Sequence, residues 1–190
     1  RIAGFDVARS LTGDSSALVI RQGSEIVYTE EWRIDDITEL CAQVERVYHT
    51  EGFDYLFVDV VGVGGGAFDV LKKSIGQACE LRQFNGAMPA RKDRLFANLR
   101  AECWMLLKDA LRDYLSIPDD RDLRTELVTQ EYKFDSKNRY LMESKEVAKS
   151  KGIPSPNKSD AICMTFAPLT IKQKPKLVRQ KQFNQVGYYG

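Results

Sequence analysis

An α/β fold built on a mixed central sheet is predicted by three observations. Residues 2–8, 16–22 and 25–33 read as three successive strands, the last two joined by a tight Gln22-Gly23-Ser24 link. A helical pattern follows, and then the segment Tyr55-Leu56-Phe57-Val58-Asp59 is apolar almost throughout, as a central strand covered on both faces would be. From there helical and strand periodicities alternate to about residue 167. The first three strands are expected to be antiparallel, the later ones parallel, with helices flanking the sheet.

The elements can be justified in order. Glycine at position 23 tolerates the positive φ of a hairpin. Asp36 is placed to cap the first helix, Glu39 completes a capping-box spacing, and Ile37, Leu40, Cys41, Val44, Val47 and Tyr48 mark one face. Gly52 stops it. After residues 55–60, Gly62, Gly64, Gly65 and Gly66 form a turn leading into a helix with Ala67, Phe68, Val70, Leu71 and Ile75. A short strand is expected around residues 78–82. Asp93 is placed to cap a long helix with Phe96, Leu99, Cys103, Leu106, Leu107, Ala110 and Tyr114 on its core face. Beyond Pro118, Leu123, Leu127 and Val128 mark a shorter helix, residues 131–134 and 139–142 a hairpin, and residues 144–151 and 159–167 two short helices.

Composition narrows the class. At 190 residues the chain suits one compact domain, and 43% hydrophobic with 29% charged residues is the balance of a globular protein. No apolar run reaches the length of a membrane span. Opening at Arg1 and entering a strand at once, the chain reads as a domain cut from a longer polypeptide. Cys41, Cys79, Cys103 and Cys163 lie far apart in apolar patterns without a CxxC or Cys/His pair, which argues for buried thiols in a reducing cytosol and against zinc. His49, the one histidine, suits the negative end of a helix dipole better than catalysis.

Charge is uneven. Lys172, Lys174, Lys176, Arg179 and Lys181 fall in residues 170–190, which hold no acid, so the +1 of the whole chain hides a body near −4. Residues 1–167 are therefore read as the folded domain and 168–190, with Pro168 and Pro175 and no apolar periodicity, as a flexible basic tail suited to docking. Contact with a polyanion has to come from local basic patches.

Three aspartates carry the chemistry. Asp6 lies in the strand Ile2-Ala3-Gly4-Phe5-Asp6-Val7 and Asp59 closes the central strand, where a carboxylate is costly unless paired or bound to metal. Asp160 opens the apolar segment Asp160-Ala161-Ile162-Cys163-Met164 after the turn-rich stretch 154–159; taken alone it reads as a helix cap. Three carboxylates suffice for magnesium, which takes oxygen ligands and keeps several waters. Two such ions roughly 3.5–4 Å apart both generate a nucleophilic hydroxide and clamp a phosphate. Strand, three aspartates and element order together point to a ribonuclease H-like metal nuclease.

Several runs then resemble the nuclease motifs of the large terminase subunits of tailed double-stranded DNA phages. They are Phe5-Asp6-Val7-Ala8-Arg9 with Gly13-Asp14 downstream, Val58-Asp59-Val60-Val61-Gly62-Val63-Gly64, Asn98-Leu99-Arg100-Ala101-Glu102, Glu143-Ser144-Lys145-Glu146, and Ser155-Pro156-Asn157-Lys158-Ser159-Asp160-Ala161. The resemblance covers residues 4 to about 167 in order. It implies a ribonuclease H-like endonuclease that cuts concatemeric viral DNA during headful packaging. By the same resemblance Asp6, Asp59 and Asp160 become ligands of two Mg2+ ions, with Mn2+ able to substitute. It further implies double-stranded DNA, a portal protein, a small terminase subunit and an upstream ATPase domain as partners, in the cytoplasm of an infected bacterium. Some members carry a histidine three residues before the last aspartate; here Asn157 offers an oxygen but no proton acceptor.

Other residues keep two readings. Lys145 suits neutralising a scissile phosphate or steering the carboxylates, and equally a solvated helix start. Asp14 suits either the edge of the cluster or a turn with Gly13. Arg100 and Glu102, two apart on a helix, do not share a face, so at most one points to the site. Trp32, Trp104 and Tyr114 suit packing. The glycines after Asp59 lack the lysine of a nucleotide loop and read as a turn that lets substrate or metal waters approach; without GxxxxGK[ST], ATP hydrolysis by that route is not expected. Rival readings are another ribonuclease H-like nuclease, such as a resolvase or integrase-like protein, a sugar-kinase or actin-like ATPase, which needs a longer chain, and a non-catalytic DNA- or portal-docking module.

Overall fold

The computed structural model describes residues 1–8, 13–153 and 155–169, with the side chains of Lys145, Glu146 and Lys149 also outside the described set. Five strands form the main sheet: β1 (Ile2–Asp6), β2 (Ser16–Gln22), β3 (Glu25–Trp32), β4 (Tyr55–Asp59) and β5 (Glu80–Phe84), in the order β3-β2-β1-β4-β5. β1 pairs antiparallel with β2, and β2 with β3, whereas β1/β4 and β4/β5 are parallel. This is the mixed sheet expected from the sequence. The helix α1 (Ile37–Glu51) makes the crossover that turns antiparallel pairing into parallel. Asp36 caps it by accepting from the N–H groups of Thr38 and Glu39, and Gly52, at φ 69°, ends it.

Strand alternation sends successive side chains to two separate layers. Ala3, Phe5, Leu18, Ile20, Leu56 and Val58 pack under α1 and α2 (Gly64–Ser74). Ala17, Val19 and Phe57 face the other way, toward α3 (Leu99–Asp113), α4 (Arg121–Thr129) and α6 (Asn157–Met164). Asp6 and Asp59 stand two residues beyond Gly4 and Phe57, so they belong to this second face. A two-stranded hairpin, β6 (Tyr132–Phe134) and β7 (Tyr140–Met142), and the short α5 (Lys145–Ser150) complete the described chain.

Several boundaries differ from the sequence expectation. Ala78 and Cys79 finish the turn after α2, each donating its N–H to Ile75, so β5 starts at Glu80. The long helix begins at Leu99 rather than after Asp93, because Asn98 caps it by accepting from Ala101 N–H. Phe96 instead forms an isolated bridge with Tyr140. Leu106, Tyr114 and Val128, expected on core faces, are exposed, while Ala101, Trp104 and Leu107 are buried. Gly64, Gly65 and Gly66 are the first turn of α2 rather than a loop before it. All four cysteines are buried and free. Among the described residues no helix is long and apolar enough to cross a membrane. Of the basic tail, residues 170–190 lie outside the described residues.

Candidate active site

Asp6 and Asp59 reach the site because two parallel strands end side by side. The β1/β4 register runs Gly4↔Phe57 and Phe5↔Val58, which brings the next residues, Asp6 and Asp59, to the carboxyl ends of neighbouring strands. Asp6 is 5% exposed, a burial that an ionised carboxylate sustains only with partners. The Asp59 carboxylate accepts the N–H of Val61 and so turns the chain away from the sheet. A Cβ on Gly64 would lie 1.7 Å from the carbonyl oxygen of Asp59. The glycine expected to admit substrate or water therefore admits the end of β4 itself.

Asp160 comes from α6. That helix starts at Asn157 behind Pro156, which provides no side-chain cap, so Asp160 sits inside the helix and the cap role expected of it is not observed. The missing cap comes from α4, where the buried Glu126 carboxylate accepts the N–H of Ser159 at 2.8 Å. Burial pushes Glu126 up to about 7, against the opposing effect of the Ser159 hydrogen bond. Lys158 ties the same turn to Asp120 and Glu31. At the other end of the helix, Arg21 of β2 donates to the Thr165 hydroxyl and carbonyl.

Two side chains of α3 meet the Asp160 carboxylate. Arg100 Nη2 lies 3.0 Å and Trp104 Nε1 2.9 Å from Oδ1. Burial acts to lower the Arg100 pKa, but the carboxylates, Asp160 first and then Asp6, help raise it overall. Arg100 is thus a permanent cation among the acids. Glu102 turns to the opposite side, where it accepts the N–H of Arg91, in keeping with an i,i+2 pair on different faces.

The three aspartates line one open cavity of about 560 Å3, together with Arg100, Asn98, Lys133 and Glu143. Ser144 and Val147 line it on either side of Lys145, whose backbone opens α5 and whose side chain lies outside the described residues. Asp14 and Asn157 line a different cavity, with Glu31 and Glu126, and so do not join the aspartates there. The sequence reading missed Lys133 and the bonding role of Trp104. Both had a signal: Lys133 sits in a hairpin between Tyr132 and Phe134, and Trp104 is one helical turn after Arg100.

Among the described residues no three His, Cys, Asp or Glu side chains are drawn together as a ready-made metal cage. The donor chemistry of the cavity nonetheless fits a hard divalent ion. It offers carboxylate oxygens, and the one thiol on its wall, Cys163, has its pKa raised well above the usual value by burial and by Cys103, which keeps it protonated. Magnesium and manganese keep several waters in their shell, so they call on only a few protein oxygens.

No protein-family model and no curated protein matches the sequence. Solved structures do. The nuclease domain of the large terminase subunit gp2 of bacterial virus Sf6, in a mutant form with manganese and beta-thujaplicinol, superposes with a TM-score of 0.78 at 21% identity, over 89% of this chain and 88% of that one. The large terminase nuclease from thermophilic phage G20c with bound magnesium gives 0.62 at 14% identity over 87% and 79%. The large terminase nuclease domain of Thermus phage P74-26 gives 0.57 at 12% over 87% and 78%. With this sheet order, and Asp6 and Asp59 at its parallel strand ends, the chain has the ribonuclease H-like fold of the large-terminase nuclease domains.

Proposed function

We propose that the chain is the nuclease domain of a large terminase subunit of a tailed double-stranded DNA phage, a divalent-metal-dependent endonuclease that cuts concatemeric DNA during packaging. One observation carries the reading: Asp6, Asp59 and Asp160, far apart in sequence, line a single cavity in a chain with this fold. The manganese and magnesium named for the Sf6 and G20c domains support a divalent cation here.

Asp6, Asp59 and Asp160 would hold the cations, two in number. When bound, the pair supplies an activated water and neutralises charge on the scissile phosphate. The chain's own part is positional. Asp6 and Asp59 are fixed by the sheet, and Asp160 by the contacts of α6 with α3 and α4. Arg100 offsets part of the carboxylate charge. Lys133, reaching the cavity from β6, suits a phosphodiester oxygen. The same role is proposed for Lys145, the first residue of α5. Trimming the acids' repulsion in this way lets an anionic backbone approach an acidic site.

The same reading gives the domain its setting: residues 1–167 working with an ATPase domain, a portal protein and a small terminase subunit in the host cytoplasm, with the basic stretch 168–190 serving docking. Supercoiled plasmid incubated with the chain tests it. Nicking and linearisation with Mg2+ or Mn2+, abolished by chelator, are expected. Intact plasmid under every cation condition, with a folded protein, overturns the reading.

A further inference from the structure

We infer that Arg100 and Trp104 form a two-donor clamp that positions Asp160, which makes both of them positioning residues for the reaction proposed above, on which this inference rests. They lie four apart on α3 and hence on one face of the helix. Both donate to the same carboxylate oxygen, Oδ1, at 3.0 and 2.9 Å, and Arg100 also reaches Oδ2 at 3.5 Å. A carboxylate turns easily about its last torsion; two donors from one rigid helix select a single orientation of it.

The two donors act from different sides. Arg100 lines the cavity with the three aspartates and is itself held by the Glu143 carbonyl at 3.3 Å. Trp104, 5% exposed, is no part of that wall; it lies in the apolar layer with Leu107 and Met142 and reaches Asp160 from the core side. The guanidinium carbon of Arg100 stands 5.9 Å from the centre of the Trp104 ring, so each side chain also limits the other. A phenylalanine would fill the same space but leave the carboxylate without its core-side donor. Partners that orient a metal-binding carboxylate in this way typically change metal affinity or activity about 10–100-fold when removed.

The test uses the full chain and its Trp104→Phe, Arg100→Gln and Arg100→Lys variants, titrated with Mn2+ while melting temperature and plasmid cleavage are followed. Expected for Trp104→Phe and Arg100→Gln is a roughly 10–100-fold higher Mn2+ concentration at the midpoint of the metal-induced rise in Tm. Turnover of Trp104→Phe should recover at high Mn2+, and Arg100→Lys should fall between Arg100→Gln and the parent. If Trp104→Phe and Arg100→Gln only melt lower without metal, and the Mn2+ midpoint stays that of the parent, both side chains merely support the fold and the clamp is overturned alone. A parent chain without any cation response overturns the nuclease reading itself, and the clamp with it.

Discussion

A Cβ added to Gly4 would lie 2.0 Å from the carbonyl oxygen of Ala161, so β1 and the helix that carries Asp160 meet backbone to backbone. Asp6 and Asp160 each lie within two residues of this contact. The absence of a side chain at position 4 therefore brings two of the three acids to one cavity. Replacing Gly4 by alanine should displace α6, cost at least the ~1–3 kcal/mol of core overpacking, and reduce cleavage beyond what the loss of folded protein explains. Urea unfolding and cleavage per folded molecule measure the two effects. Parent-like values for both would mean that α6 does not rest on β1.

The glycines at the start of α2 should separate by position. At Gly64 a Cβ would lie 1.7 Å from the Asp59 carbonyl oxygen, whereas at Gly66 it would meet nothing within 4 Å. Gly66→Ala should stabilise the chain by roughly 0.5–1 kcal/mol, the usual helix gain, and leave cleavage intact. Gly64→Ala should destabilise it and move Asp59. Thermal melts of the two variants decide the matter; equal shifts in the same direction would remove the special role of Gly64.

Much of this arrangement was legible beforehand, for identifiable reasons. Asp6 and Asp59 stood out because a charge inside an apolar strand needs a compensating partner. The hairpin after Gln22, the caps at Asp36 and Gly52, and the doubly covered β4 are local signals that tertiary packing left in place. Taken alone Asp160 reads as a cap, but α6 already begins at Asn157, three residues earlier, and its cap comes from Glu126 in another helix, a contact across 33 positions that no local pattern records. Trp104 looked like packing because one buried indole resembles another until its N–H finds a carboxylate. The start of α3 was misplaced because Asp93 and Asn98 are both acceptable caps by type, and only the fold selects Asn98.

Glu126 should give stability a distinct pH dependence. Its pKa is raised from 4.5 to about 7, chiefly by burial. Between these values the folded chain retains a proton that the unfolded chain has released, so this group's contribution favours folding at the acid end and is lost as pH rises toward 7. Carboxylates held below their usual value, among them Asp120 and Asp135, change in the opposite sense and at lower pH. Glu126→Gln keeps an oxygen for Ser159 N–H but removes the titration. Its stability relative to the parent should increase from pH 5 to pH 8; a constant difference across that range would contradict the assignment.

The central claim is that Asp6, Asp59 and Asp160 act as one metal site, and Mn2+-dependent plasmid cleavage by Asp59→Asn tests it most directly. The substitution preserves shape and removes one negative charge from a cavity lined by three aspartates, so the variant should stay folded, with a metal-free Tm equal to or above that of the parent as carboxylate repulsion is relieved. The account expects cleavage to be abolished. Cleavage at the parent's rate by a folded Asp59→Asn chain would contradict it.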